Sequence, residues 1–179
     1  MLLSYNAICR LLADGVVQFA DVENVNGASL DIRLGNELLI ESNAARCVIS
    51  LRQRERPNMD CWMMNEEQGY QLDPGEFVLA HSVEVFNLPL NISCEFKLKS
   101  SLARMGINQL TACWCDPGWH GSTITLELTN VTRYHSIVIR PGDKIGQIVF
   151  FQHEPVPLER SYKVRGRYNN DHKVEGIKL

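Results

Sequence analysis

The chain has 179 residues and a mass of 20.3 kDa, which suits one domain with a full hydrophobic core. Apolar content of 45% and charged content of 22% are those of a soluble globular protein and exclude long disorder. Eighteen basic against 21 acidic residues give a formal charge of -3, which offers no broad field for a nucleic-acid polymer, so any anion site must be local. No apolar run approaches the ~18 residues of a membrane span, and nothing at the N-terminus reads as a signal peptide. The six cysteines, Cys9, Cys47, Cys61, Cys94, Cys113 and Cys115, are scattered without a disulfide framework. These features lead to the expectation of a single domain over residues 1–179, in the cytoplasm, with reduced thiols and no membrane partner.

Ile8, Leu11 and Leu12 recur at helical spacing behind Ser4, a suitable N-cap, with Gly15 as a stop, and predict a short helix over residues 5–14. Residues 25–35 alternate Leu30, Ile32 and Leu34 with Ser29, Asp31 and Arg33, as in a strand with one buried face. Residues 46–69 are less ordered in pattern and read as an excursion or a subunit contact. The arginines there, Arg46, Arg52, Arg54 and Arg56, fit a solvated face better than an anion site, because Glu55 is interspersed.

Residues 77–86, 92–99 and 123–130 repeat the strand alternation. The pairs Pro74-Gly75, Pro117-Gly118 and Pro141-Gly142 supply turn chemistry, since proline presets one angle and glycine accepts the positive one. Their unequal spacing argues against a repeat array and for an all-β barrel or jelly roll. In DKIGQIVFF, Gln147 shares a face with Ile145, Val149 and Phe151, and a buried amide there must find partners, so a structural supporting role is expected. Residues 160–179 form a polar tail that is either loosely ordered or folds over a ligand.

The chemistry concentrates between Lys97 and Asn130. Ser100 and Ser101 place short donors beside Lys99 and Arg104, which suits phosphate oxygens, although a turn with two solvated serines fits the composition equally well. In TITLELTN, Ile124, Leu126 and Leu128 share one face and leave Glu127 with Thr123, Thr125 and Thr129 on the other. A solvated carboxylate is the commoner case, but in a desolvated cleft Glu127 becomes a general base. A zinc-dependent base deaminase needs His-x-Glu and Pro-Cys-x-x-Cys, and neither occurs here. Gly-rich phosphate loops are also absent.

KSSLARMG, CDPGWHG, ITLELTN and GDKIGQIVF, with NGASLDIRLG upstream, resemble in order and spacing the dCTP deaminases of the deaminase/dUTPase superfamily. The resemblance implies a dUTPase-like distorted jelly roll or β-barrel with a short N-terminal helix, assembled as a homotrimer with sites between subunits. It also implies Mg²⁺ bound through the nucleotide phosphates, and deamination without catalytic zinc or any other protein-bound metal. Carried over by position, Glu127 is the general base that activates water for attack on C4 of cytosine. Ser100 and Arg104 place that water and stabilise charge, with Arg104 keeping Glu127 ionised. Ser101 and Lys99 face phosphates, Asp116 takes the deoxyribose 3′-hydroxyl, and the backbone near Ala112 reads the base edge. In the tail, Tyr162, Arg167 and Asp171 fall around the triphosphate.

The activity this implies is deamination of dCTP to dUTP and ammonia. Several residues depart from the family's pattern. Lys99 stands where many relatives have arginine, Trp114 where some have a basic ligand, and Asp171 where an acidic group repels phosphate. They keep open a preference for dCMP or a 5-modified deoxycytidine nucleotide. A dUTPase or bifunctional deaminase/dUTPase ranks below deamination alone, because the tail lacks the glycine-rich motif of dUTPases. A non-catalytic nucleotide-binding regulator on the same fold is the remaining alternative, disfavoured by the joint presence of Ser100, Arg104 and Glu127.

Overall fold

The computed structural model describes residues 1–42, 48–53, 55–110, 112 and 114–178. It opens on helix α1 (Tyr5–Ala13), whose fully buried Ile8 seats it on the core. Ser4 occupies the N-cap position in extended conformation, but its hydroxyl caps nothing. The helix ends one residue before the expected boundary, with Asp14 as cap and Gly15 at φ 71°.

The strands follow as β1 (Val17–Gln18), β2 (Leu30–Arg33), β3 (Glu37–Glu41), β4 (Met59–Met63), β5 (Tyr70–Leu72), β6 (Phe77–Asn87) and β7 (Ile92–Leu98). Helix α2 (Ser100–Met105) precedes β8 (Ile107–Gln109), β9 (Trp114–Cys115), β10 (His120–Asn130), β11 (Ile137–Ile139) and β12 (Lys144–Gln152), and a one-turn helix α3 (Tyr162–Arg165) starts the tail. The architecture is mostly β. One sheet has the order β4-β3-β6-β10-β8, with β1 also on β6. The second has the order β2-β12-β7-β9, and β11 and β5 form a ribbon. Val78, Ala80, Leu126 and Leu128 of the first sheet meet Leu30, Ile32, Phe96, Ile148 and Phe150 of the second in a common core. The glycines of the three Pro-Gly pairs all take positive φ, at 79°, 86° and 85° for Gly75, Gly118 and Gly142.

Two patterns read from the sequence change in three dimensions. The strand expected over residues 25–35 begins only at Leu30, because Val25–Leu30 folds back on itself through an Asn26 N–H to Ser29 carbonyl bond of 2.7 Å. Its polar face is also covered. Asp31 is buried, accepting from Asn26 Nδ2 at 2.8 Å and Lys99 Nζ at 2.7 Å. On β12, a register shift between Lys144 and Gly146 puts Gly146, Ile148 and Phe150 on the buried face. Gln147 therefore shares its half-buried face with Val149 and Phe151, and Ile145 is buried separately. Its Oε1 accepts from Ser29 Oγ at 2.7 Å, joining β12 to the turn before β2. Gly146 is required for packing, since a Cβ there would lie 2.1 Å from the Phe96 ring.

Strand β6 carries its own polar bracket. Between Thr123 and Thr125 of β10 the pairing skips residues on β6, and Ser82 Oγ fills the gap by accepting from the Ile124 N–H at 3.0 Å. Nearby, Glu84 is wholly buried and accepts from the Arg33 backbone N–H at 3.0 Å and from Arg33 Nε at 2.8 Å. Burial pushes the Glu84 carboxyl above its usual range, and the Arg33 contacts act against that. Arg33→Met leaves this carboxylate buried beside an apolar chain and is expected to cost about 3 kcal/mol of unfolding free energy at neutral pH, read by urea denaturation. A loss below about 0.5 kcal/mol would show that water already solvates the pair.

Candidate active site

The threonine and carboxylate face of β10 opens into a cavity of about 570 Å³. Thr123, Thr125 and Glu127 line it from β10, and Phe77 and Leu79 from β6. The register sets Glu127 opposite Leu79, and Leu79 opposite Leu39, so the carboxylate lies at the end of an apolar row. Burial therefore holds the Glu127 carboxyl above the usual carboxylate range, opposed in part by its hydrogen bonds. One of these comes from Gln109 on β8, whose Nε2 donates to Glu127 Oε2 at 2.9 Å.

The loop before β10 supplies Ala112, Asp116 and Trp119 to the same cavity, with Trp114 and Cys115 of β9. Asp116 Oδ1 accepts from Trp114 Nε1 at 3.0 Å, so the indole in place of a basic ligand orients an acid instead. The Ala112 N–H donates to the Leu110 carbonyl at 2.8 Å.

The tail closes the cavity from the other side. Tyr162, Tyr168, Asp171 and residues 175–177 line it. Trp119 anchors this strap, stacked on Phe86 at 5.5 Å and donating from Nε1 to the Tyr168 carbonyl at 2.6 Å. The Thr123 N–H donates to the Asp171 carbonyl at 2.8 Å. The Asp171 carboxylate is paired with Lys178, Nζ to Oδ2 at 2.6 Å, so its charge is balanced within the tail. Arg167 is exposed and reaches the Lys178 carbonyl at 3.4 Å rather than the cavity lining.

The site residues read from the sequence thus fall into two groups. Glu127, Ala112, Asp116, Tyr162 and Asp171 share the cavity. Ser100, Ser101 and Arg104 stand exposed on α2, and Lys99 caps that helix while paired with Asp31; none of the four lines the cavity. Among the described residues no ion pair joins Arg104 to Glu127, and Arg104 is not among the charges that act on Glu127. Helix α2 ends at Gly106, at φ 99°, where a Cβ would lie 2.2 Å from Thr132, so the position requires glycine.

Residues 2–153 match the family model described as dCTP deaminase-like. The chain belongs to the dCTP deaminase-like family. It is 35% identical over 143 residues to "dCTP deaminase, dUMP-forming" of Corynebacterium glutamicum, covering 79% of this chain and 74% of that protein. Proteins of the same description from Tropheryma whipplei and Methanopyrus kandleri are 37% and 33% identical. The first alignment covers 85% of this chain and 78% of that protein, and the second 99% and 95%. The crystal structure of 2′-deoxycytidine 5′-triphosphate deaminase from Agrobacterium tumefaciens superposes with a TM-score of 0.64 at 25% identity over 85% of this chain. This chain spans 48% of that longer one.

The cavity walls contributed by Ile49, Leu51, Arg56, Pro57 and Met59 are the part of the site least signalled in the sequence. The excursion has no periodicity that marks it as part of a site; Arg46 and Arg54 lie outside the described residues, while Arg56 is bound to the Ile177 carbonyl of the tail at 3.5 Å. Gln109 and Trp119 also went unread as site residues. The only sequence signal for Gln109 was a polar side chain in a short strand, and for Trp119 an aromatic following a Pro-Gly turn. No helix among the described residues is long and apolar enough to cross a membrane.

Proposed function

We propose that this protein hydrolytically deaminates dCTP at C4 of cytosine, releasing ammonia, with Glu127 as general base. The observation that carries the reading is a half-buried carboxylate with a raised pKa, hydrogen bonded by Gln109 and opening into a nucleotide-sized cavity, in a chain of the dCTP deaminase-like family. Water addition at C4 needs a base, N3 needs a proton, and ammonia must leave; one carboxyl group serves as base and then acid. A pKa above the usual carboxylate range suits both roles better than that of a solvated glutamate.

The separation of Ser100, Ser101 and Arg104 from this cavity supports a homotrimer in which α2 of one subunit meets the Glu127 cavity of another. In that arrangement Arg104 and Ser100 orient water and balance charge, while Ser101 faces the phosphates. Asp116 takes the 3′-hydroxyl, and Tyr162, with the Lys178-neutralised Asp171, borders the phosphate end. Pairing with Lys178 removes the acidic repulsion that had favoured a monophosphate. Arg167 and Lys99 reach phosphate only if they leave their present partners. Mg²⁺ fits as a passenger on the phosphates, because Asp116 and Asp171 are already engaged by Trp114 and Lys178. We place the enzyme in the cytoplasm.

A second reading is favoured by the relatives' names, which are dUMP-forming: a further hydrolysis of the phosphoanhydride gives dUMP and pyrophosphate in place of dUTP. Incubation with dCTP, dCMP, 5-methyl-dCTP and dUTP, with and without Mg²⁺, followed by product separation, tests both. Ammonia with dUTP supports the first reading, ammonia with dUMP and pyrophosphate the second. No ammonia from any cytosine nucleotide defeats both.

The acid limb of the rate profile follows from Glu127. Only the ionised form accepts a proton, so activity falls as pH drops through a folded pKa that lies above that of an ordinary glutamate. Gln109→Leu removes a bond that favours the ionised form, and the limb is expected to move to higher pH. A limb that stays in place or moves down would remove Gln109 from this role.

A further inference from the structure

Cys94 on β7 and Cys115 on β9 are direct partners in the antiparallel register. Side chains so opposed have Cβ atoms about 4.5–5.5 Å apart, against about 3.5–4.5 Å in a disulfide, and here the Cys94 thiol is hydrogen bonded to Cys115. Both sulfurs are in the thiol state. Their surroundings differ: Cys94 is completely buried in the core, whereas Cys115 is partly exposed and lines the Glu127 cavity. Strand β9 is a two-residue edge of its sheet, so a small shift toward β7 meets little resistance from neighbouring pairs. It also carries Trp114, which holds Asp116 and lies against Phe151 at 5.8 Å.

We propose that Cys94 and Cys115 form a peroxide-oxidisable dithiol, and that its disulfide draws β9 onto β7 and displaces the Trp114–Asp116 wall of the nucleotide cavity. The Cys115 sulfur, the accessible one, attacks a peroxide oxygen. The O–O bond breaks, and the departing hydroxide takes up the thiol proton and leaves as water, giving a sulfenic acid. The Cys94 sulfur then attacks the Cys115 sulfur and the S–O bond breaks. The departing hydroxide collects the Cys94 proton as a second water. Two thiols lose two electrons, and one peroxide becomes two waters.

Burial keeps peroxide from Cys94, so first attack falls to Cys115; the same burial raises the Cys94 thiol pKa, so its proton leaves only as the S–S bond forms. The other described cysteines have no such partner. Cys61 faces Leu39 in register and donates to Glu37 at 3.1 Å, and Cys9 lies on α1.

The bond itself is independent of the deaminase reading, while its effect on nucleotide binding rests on that reading. The test treats the purified full chain with hydrogen peroxide, blocks remaining thiols with N-ethylmaleimide, and maps peptides by mass. A Cys94–Cys115 cross-link that dithiothreitol reverses, and that Cys94→Ala and Cys115→Ser each abolish, is the expected result. Oxidised wild type is expected to bind dCTP about tenfold more weakly or worse, because a displacement of about 1 Å in a positioned site has effects of that order or larger. Maleimide on both residues after peroxide, or cross-linking of either to another cysteine, overturns the dithiol even if neither variant folds. A cross-link with unchanged dCTP affinity overturns the coupling to the cavity. Reduced protein that binds no dCTP yet forms the bond counts against the deaminase reading alone.

Discussion

Glu127→Gln is expected to reduce ammonia release from dCTP by about 10³-fold while dCTP affinity stays within a few-fold of wild type, because general acid–base groups contribute on that scale. The amide keeps the size of the side chain and one acceptor oxygen, so the cavity and the Gln109 contact are largely preserved. Stability supplies an internal control. Folding raises the Glu127 pKa, so the folded state holds this proton more tightly than the unfolded chain. The associated stabilisation is present below the unfolded pKa and is lost as pH rises through the folded one. At neutral pH the ionised carboxylate therefore costs the fold something that the neutral amide does not. Glu127→Gln is expected to melt at or above the wild-type temperature, by calorimetry at neutral pH. Loss of turnover with a preserved or raised Tm identifies the chemistry, whereas loss with a lowered Tm would indicate simple damage. Substantial residual ammonia release in a well-folded variant would take the role of base away from Glu127.

The sequence resolved best where one element faces core on one side and something else on the other. On β10 the alternation of Ile124, Leu126 and Leu128 with Glu127 and its threonines survives intact, since that strand really does separate core from cavity. Strand β2 failed the same logic, because Asn26 and Lys99 supply the partners that let Asp31 be buried, and periodicity does not anticipate such partners. The departure of Ile145 from the face of Gln147, Val149 and Phe151 is likewise invisible beforehand, as a bulge shifts a strand's parity without any mark in its composition. The desolvation of Glu127 needed three dimensions too: Leu79 from β6 and the walls from Ile49, Leu51, Pro57 and Met59 are remote in the chain, and the latter carry no motif. The motif KSSLARMG read as short donors for phosphate or as a turn with two solvated serines, whereas it folds as a short exposed helix ending at Gly106. Its separation from the Glu127 cavity within one chain had no signature in the spacing.

That distance gives the second large effect. Arg104→Ala and Glu127→Gln, each alone, are expected to be nearly inactive, yet trimers containing both chains should regain activity if every site joins Glu127 of one subunit to Arg104 of the next. When the two variants are co-expressed in equal amounts and assemble at random, a site is intact only if its Glu127 comes from an Arg104→Ala chain and its Arg104 from a Glu127→Gln chain. The chance is one half for each, so about a quarter of wild-type activity is expected per site. Separately purified variants, mixed only in the assay, should show less until subunits exchange. No recovery in co-assembled trimers would place Arg104 and Glu127 in the same chain's site and require α2 to swing toward its own cavity. Gly106 ends α2 in a left-handed conformation with Thr132 packed where a side chain would begin, so a side chain there would displace the helix end. A helix that exposes Ser100, Ser101 and Arg104 together, away from its own chain's cavity, is better suited to completing a neighbour's site than its own.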